Sequence, residues 1–437
     1  MSLSTRGEAL LPQADDHLPS AHTYDRKTNP GGLIAPAYAI NETVSPDLAA
    51  FAKNVTIKPE HFTFHWPANG GPGLRPALAT HLNDSFHPHT SVNADHIVIG
   101  EGATSILEIL AFALMSPGDG LLLSRPIYNG YSRDFTARAG ARVCFANTDA
   151  EDSLHPEALV ATFEKTLARY REKGVQIRAV LIANPNNPLG RCYPRDTLLA
   201  IARFCQKHNL HFLSDEIFGA TAFGDNLSSL NKHTTTPFTS LFSLPLSSPD
   251  SPIDPKLCHV IYGLAKDFGA AGLRIGALIS QSNPALLASA RAMLRFHDVS
   301  GPSVAIATAM LEDRDWCRQY LDKTRTGLAK AYEHATAGLE NIGVDYVRGG
   351  GAGFFVFIDL SPYLAHSSDS EVGPFREEEQ GPSAAEVALV RKMIDNGLYL
   401  APRGESYSKP GWFRFVFSHE PHVIDEALRR LSKTISP

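Results

Sequence analysis

The chain has 437 residues, 43% of them hydrophobic and 20% charged, with 40 Lys and Arg against 46 Asp and Glu for a formal net charge of −6. That is enough for one large and one smaller globular domain, and a weakly acidic, interspersed charge argues against nucleic acid as a partner. No apolar run reads as a membrane span or cleavable signal, and Cys144, Cys192, Cys205, Cys258 and Cys317 are scattered without a CxxC pair, so reduced thiols in a cytoplasmic protein are expected.

Taken in order, the first twenty residues mix charges of both signs and read as a mobile arm. Residues 20–45 are rich in Pro and Gly and form an irregular segment that packs through Tyr24, Leu33, Ile34 and Tyr38. Residues 64–74, FHWPANGGPGL, read as a second loop that either packs or borders a binding site. His87, His89 and His96 lie near one another without a ligand pattern and read as loop histidines rather than a metal site.

From about residue 95 the pattern turns regular. HIVIG, GLLLS, ARVCFA, IRAVLIA, HFLSD and HVIYG are strands, and helices fall over EGATSILEILAFALM, Tyr128 to Ala139, and roughly 155–173 and 194–208. Strands alternating with helices predict an α/β fold with a mostly parallel sheet buried on both faces, and ligands of such sheets collect at the carboxyl ends of the strands. Helical stretches at about 283–297 and 302–341, a strand in GGGAGFFVFIDLS, a helix near 384–397, the strand WFRFVF and a last helix form a smaller α+β domain built from both chain ends. The division expected is 1–60 as arm and part of the small domain, 61–300 as the large domain, and 301–437 as the rest of the small domain. Residues 231–255 and 366–383 are rich in Ser and Pro and read as surface insertions.

The chemistry-bearing residues all follow strands. After HIVIG, Gly102, Ala103 and Thr104 open a helix, whose N–H groups could bind an anion or merely cap the helix. Tyr128, two residues after Pro126, could stack on a flat heterocycle or pack. After IRAVLIA, the turn NPNNPLG presents Asn187, whose amide could reach a ring oxygen. Asp215 ends HFLSD, where a buried carboxylate needs a cationic partner such as a protonated ring nitrogen. Lys266 follows HVIYG, and Arg274 lies within GLRIG. A lone strand-end lysine is usually a solvated charge. An amine set against a rigid strand with an arginine within a phosphate's reach is also what Schiff-base catalysis requires. Asp267-Phe268-Gly269 spells a kinase triplet, but the chain has no HRD-type loop to accompany it.

In this order, GAT at 102–104, the P-x-Y of 126–128, NPNNPLG, SDEIF at 214–218, the Lys266 segment with GLRIG, and Arg414 in PGWFRFVF resemble the class I/II aminotransferases, pyridoxal 5'-phosphate (PLP) enzymes of fold type I. NPGGLIAPAYAINE and PGWFR are most similar to the 1-aminocyclopropane-1-carboxylate (ACC) synthase-like branch. The resemblance covers roughly residues 25–430. It implies a large domain with a mostly parallel sheet, a smaller α+β domain, and a homodimer with shared active sites. It further implies that Lys266 binds the cofactor aldehyde covalently and moves the substrate Cα proton. Asp215 would hold the ring nitrogen protonated, Tyr128 would stack on the ring, and Asn187 would bond its hydroxyl oxygen. The phosphate would fall to Gly102, Ala103, Thr104 and Arg274, and the substrate carboxylate to Arg414, with Asn41 and Ile40 beside the substrate.

Departures from the family pattern bear on the reaction. Phe218 replaces the tyrosine of SDEIY, and Gly263 and Ala265 replace the serines of SLSK. Ile40 stands where ACC synthases carry a glutamate beside their sulfonium substrate, so a cation would lose its counter-charge. The loop at 64–74 lacks the family's interface-crossing tyrosine, with Trp66 near but not aligned. These changes point away from S-adenosylmethionine. The expected reaction is Cα deprotonation of an α-amino acid followed by β or γ elimination, carbon–sulfur lyase-like, in specialised biosynthesis. Transamination, ACC formation and a non-catalytic role are the alternatives.

Overall fold

The computed structural model describes residues 3–11, 23–37, 39–63, 69–228, 235–364, 381–402 and 404–436. Tyr38 and Trp66 lie outside them, as do 12–22 of the arm and most of the 366–383 segment. Among the described residues no helix is long and apolar enough to cross a membrane.

Seven strands form the main sheet: β1 (Ile97–Glu101), β2 (Gly120–Arg125), β3 (Arg142–Asn147), β4 (Ile177–Ala183), β5 (His211–Asp215), β6 (Cys258–Gly263) and β7 (Ile275–Ile279). Their order is β1-β7-β6-β5-β4-β2-β3. The pairs among β2 to β6 are parallel, while β7 runs antiparallel to both β1 and β6. Successive side chains of a strand point to opposite faces, and here both faces are apolar. Val98, Leu121, Leu181, Leu213, Ile261 and Leu278 belong to one buried cluster. Their neighbours Ile99, Leu122, Val180, Phe212, Val260 and Ala277 belong to the other. Helices Gly102–Leu114, Gly130–Thr136, Pro156–Glu172 and Arg195–His208 supply the crossovers read from the sequence.

A second, antiparallel sheet has the order β10 (Trp412–Val416), β9 (Phe355–Asp359), β8 (Asp345–Tyr346). It packs with helices Arg314–Asn341, Ala384–Asp395 and Pro421–Ile435. The chain start joins this unit. Ile34 donates its N–H to Gly397 and accepts from Tyr399, both at 2.9 Å, and Val416 donates to the Pro36 carbonyl at 2.9 Å. Buried Arg430 donates to the carbonyls of Pro30 and Gly32 at 2.8 and 2.6 Å.

Three sequence expectations need correction. The stretch read as a loop at 64–74 turns helical from Gly71, as Gly71–Phe86. Gly70 begins it in the left-handed region at φ 78°, and Pro72 stands in the first turn, where no N–H is missed. The span 302–341 is two helices, because the Asp313 side chain accepts the Trp316 N–H at 3.0 Å and starts a new one. The segment 231–255 is not a surface insertion over its described part. Leu241, Phe242, Leu244, Leu246 and Ile253 are core residues, and buried Glu216 holds the segment by accepting from Ser240 Oγ at 2.6 Å and Leu241 N at 2.7 Å.

Candidate active site at the carboxyl edge of the sheet

Five parallel connections bring their following loops to one edge of the sheet. The antiparallel strand β7 adds its start there, so the residue just before it, Arg274, meets the residue just after β1, Gly102. Gly102 has φ +80°, and a Cβ on it would lie 2.6 Å from Arg274 Nη2. A Cβ on Gly276 would lie 2.2 Å from the Gly102 carbonyl carbon. The two glycines therefore let the backbones touch and bring a guanidinium against the N-terminus of helix Gly102–Leu114. Arg274 is held by donation to the Ala271 carbonyl at 3.3 Å and the Glu101 carbonyl at 3.5 Å. A helix N-terminus with an adjacent guanidinium is an anion cradle.

Asp215, at the end of β5, is 6% exposed. Its Oδ2 accepts from Tyr131 Oη at 2.7 Å and its Oδ1 from Ile217 N at 3.2 Å. Burial pushes its carboxyl up to about 6, against the downward pull of the Tyr131 hydroxyl, the Ile217 N–H and Lys266. Lys266, in the turn after β6, donates from Nζ to the Ala39 carbonyl at 2.6 Å. Burial pushes its amine down to about 8, Arg414 and Arg274 push the same way, and Asp215 opposes them. The chain thus holds an amine that is partly neutral near neutral pH.

After β4, the peptides Asn184–Pro185 and Asn187–Pro188 are cis. Asn187 Oδ1 accepts from Arg414 Nη1 at 2.9 Å, while Nη2 donates to the Ala37 carbonyl at 2.7 Å. That contact orients the amide so that Nδ2, its donor end, is left for a ligand. After β2, Tyr128 stands edge-on to Tyr131, with centroids 5.3 Å apart at 87°. Gly130 permits this, since a Cβ there would come within 2.3 Å of the Tyr128 ring.

Ala103, Thr104, Tyr128, Asn187, Asp215, Lys266 and Arg274 line one cavity of about 150 Å³. Tyr131, Ala39, Leu107, Ile217, Phe218 and Ala265 complete most of its wall. Arg414 stands behind Asn187, with its guanidinium 5.4 Å from the Phe355 ring centroid. Asn41 is buried, and its Oδ1 accepts from Thr43 Oγ1 at 2.7 Å. Ile40 is 42% exposed, and its carbonyl accepts from Ser418 Oγ at 2.6 Å. Neither is in the cavity wall, where the neighbouring Ala39 takes that place.

The departures have physical settings. Phe218 lies against Phe354 and Phe355, edge to face, at 5.3 Å from each. A side chain at Gly263 would meet the Ile275 carbonyl, 2.7 Å from its Cβ, so the close β6–β7 pairing requires glycine there. Sequence reasoning missed Tyr131, which stands in the first turn of helix Gly130–Thr136, three residues after Tyr128. It also missed the carbonyls of Ala37 and Ala39, which no side-chain pattern announces, and Asp267. The Asp267 carboxylate accepts from Ala220 N, Thr221 N, Thr221 Oγ1 and Tyr262 Oη at 2.9, 3.1, 2.7 and 2.9 Å.

The donor set fits pyridoxal 5'-phosphate: a partly neutral amine, a buried carboxylate that a ring cation would satisfy, and an anion cradle share one cavity. The sequence model for aminotransferase class I and II matches residues 43–431. The chain is 31% identical over 90% of its length to "Probable aminotransferase sirI" of Leptosphaeria maculans, of which 88% is covered. It is 30% identical to 1-aminocyclopropane-1-carboxylate synthase 3 of Oryza sativa subsp. japonica, over 93% of this chain and 88% of that protein. The fold is similar to that of a Thermus thermophilus aspartate aminotransferase single mutant, with a TM-score of 0.75 at 20% identity over 99% of this chain and all of that one. The chain belongs to the class I and II aminotransferase family, on its ACC synthase-like branch, and is a pyridoxal 5'-phosphate enzyme of fold type I.

Proposed function

We propose that this enzyme removes the Cα proton of an amino acid with an uncharged, thioether-like side chain and then expels a substituent from Cβ or Cγ, a carbon–sulfur lyase-like elimination. The observation that carries this reading is the cavity wall. Among its described lining residues the only charged side chains are Asp215, Lys266 and Arg274. All three have uses toward the cofactor. The remaining wall includes Ala39, Leu107, Ile217 and Phe218, against which a charged substrate side chain would lose its hydration without return.

In this reading Arg274 and the N–H groups at Ala103 and Thr104 hold the phosphate, Asp215 holds the ring nitrogen, Tyr128 covers the ring, and the Asn187 amide donates to the ring oxygen. The cofactor, when bound, supplies a sink for the electron pair left at Cα. Arg414 orients the substrate through its carboxylate, with a planar fork that a lysine would not offer. Lys266 Nζ takes the Cα proton, and its lowered pKa keeps enough neutral amine to do so near neutral pH. In β elimination the Cβ–S bond then breaks, the sulfur leaves with the bonding pair and is protonated to a thiol, and water releases ammonia and a keto acid from the remainder. No oxidant or second substrate is needed. Transfer to a dicarboxylate keto acid would call for another cation, and the described wall offers none beyond Lys266 and Arg274, both of which have uses toward the cofactor. The Leptosphaeria maculans relative is named a probable aminotransferase, which favours transamination as the second reading.

The test is incubation of the purified enzyme with S-substituted cysteines, homocysteine derivatives and S-adenosylmethionine. Thiol, ammonia and keto acid released without an added acceptor support elimination. Amino transfer that requires a keto acid and frees no thiol overturns it, as does methylthioadenosine release from S-adenosylmethionine. We propose further that the enzyme is a homodimer. Phe62, Phe112 and Phe296 are 73%, 53% and 65% exposed and would be covered by a second copy, which light scattering would detect.

A further inference from the structure

We propose that Tyr131 is a positioning residue that keeps the proton on the ring nitrogen of the cofactor rather than on Asp215, by donating its own hydroxyl hydrogen to the carboxylate. This rests on the reading of Asp215 as the partner of that nitrogen.

The geometry is specific. Tyr131 is 1% exposed, its hydroxyl lies 2.7 Å from Asp215 Oδ2, and its ring is fixed edge-on against Tyr128. Burial, the Asp215 charge and the hydrogen bond push the phenol well above its usual range, so Tyr131 serves as a donor and does not itself ionise. A carboxylate and a ring nitrogen that face each other share one proton, and either atom can hold it. Donors to the carboxylate favour its charged form and so favour the proton on nitrogen; desolvation works the other way. At Asp215 the donors are Tyr131 Oη and Ile217 N.

The other ionisable groups around Asp215 are few. Lys266 favours its charge from the β6 side. Glu216, its chain neighbour, is buried and pushed up to about 7, partly by Asp215. On the helix of Tyr131, Asp134 is pushed up to about 7 by burial and by Asp215, with Arg133 opposing. Tyr128 completes the set on that side. Burial is what disfavours a charged Asp215, and the Tyr131 hydroxyl is the side-chain hydrogen-bond donor that offsets it. Only a protonated ring nitrogen draws electrons strongly from Cα, so this contact governs how good a sink the site makes.

The test uses the holoenzyme loaded with cofactor isotope-labelled at the ring nitrogen, whose NMR resonance distinguishes the protonated from the neutral ring. In Tyr131→Phe, which keeps the ring and its packing, the resonance is expected to move toward the neutral position across the neutral pH range. A ring-fluorinated tyrosine at 131, a stronger donor, is expected to move it the opposite way. In the cofactor-free Tyr131→Phe protein the Asp215 carboxyl, identified by infrared difference against Asp215→Asn, should titrate about one to two pH units higher than in wild type. A resonance and an Asp215 titration unchanged in both Tyr131 variants overturn the proposal. If Asp215→Asn also leaves the resonance unchanged, the placement of the ring nitrogen at Asp215 falls instead.

Discussion

The Lys266 amine donates a 2.6 Å hydrogen bond to the carbonyl oxygen of Ala39, a residue 227 positions away in the sequence. The segment that supplies this carbonyl also supplies the Ala37 carbonyl to Arg414 and the Ile40 carbonyl to Ser418. Three backbone acceptors on four consecutive residues thus tie the chain start to the lysine turn after β6 and to strand β10 with its following turn.

That environment sets the pH at which the amine becomes reactive. The neutral form attacks an aldehyde, so capture of added pyridoxal phosphate by the cofactor-free protein should rise about tenfold per pH unit below the lysine's pKa of about 8 and level off above it. Arg414 is the second cause of the depression, after burial. Arg414→Gln removes a positive charge, should raise the amine's pKa, and should move the rise to higher pH. Stopped-flow absorbance against pH measures both, and an unshifted profile in the variant would count against the coupling.

Lys266→Ala is expected to abolish turnover while leaving the fold intact, since the side chain's hydrogen bond is to a backbone carbonyl of the chain start. Far-ultraviolet circular dichroism and product release measure the two parts. Turnover that survived the change would sink the assignment of this lysine.

Gly102→Ala should weaken cofactor binding by tenfold or more. The new Cβ would lie 2.6 Å from Arg274 Nη2, and the residue would need φ near +80°, where alanine is strained. Equilibrium dialysis with pyridoxal phosphate gives the change. Gly276→Ala should destabilise the fold itself, because its Cβ would meet backbone rather than a movable side chain.

Tyr262→Phe should cost about 1–3 kcal/mol of stability by denaturant unfolding. Its hydroxyl donates to Asp267 at 2.9 Å and lies 3.0 Å from buried His81 Nε2. Removing it deprives two buried polar groups at once. Because Asp267 follows Lys266 and ties it to Ala220 and Thr221, a fall in kcat should accompany the loss.

Much of the site was legible because βαβ crossovers leave short-range signals: an apolar run, then Gly102, Asn187, Asp215 or Lys266 immediately after it. All of these stand at the sheet edge expected of them. Phe218 and Gly263 were visible as departures from the family pattern, but their reasons were not. One is seated against Phe354 and Phe355 and the other pressed to Ile275, contacts that depend on distant strands. Ser/Pro composition misled at 231–255, since composition does not register that Glu216 would bury its carboxylate on Ser240 and Leu241.

By itself the sequence determined a mostly parallel sheet and the identities of the groups that would meet at its edge, because strand period and residue type are local properties, and its ordered motifs carried the family resemblance that implied the cofactor class. Only the tertiary structure decided what each group touches. The antiparallel turn of β7 sets Arg274 against Gly102, the helix after β2 swings Tyr131 onto Asp215, and the chain start lays the Ala39 carbonyl over Lys266. Those pairings join residues 84 to 227 positions apart, and the physical reason they escape sequence reading is that a hydrogen bond's geometry and a buried group's pKa depend on packing, not on spacing along the chain.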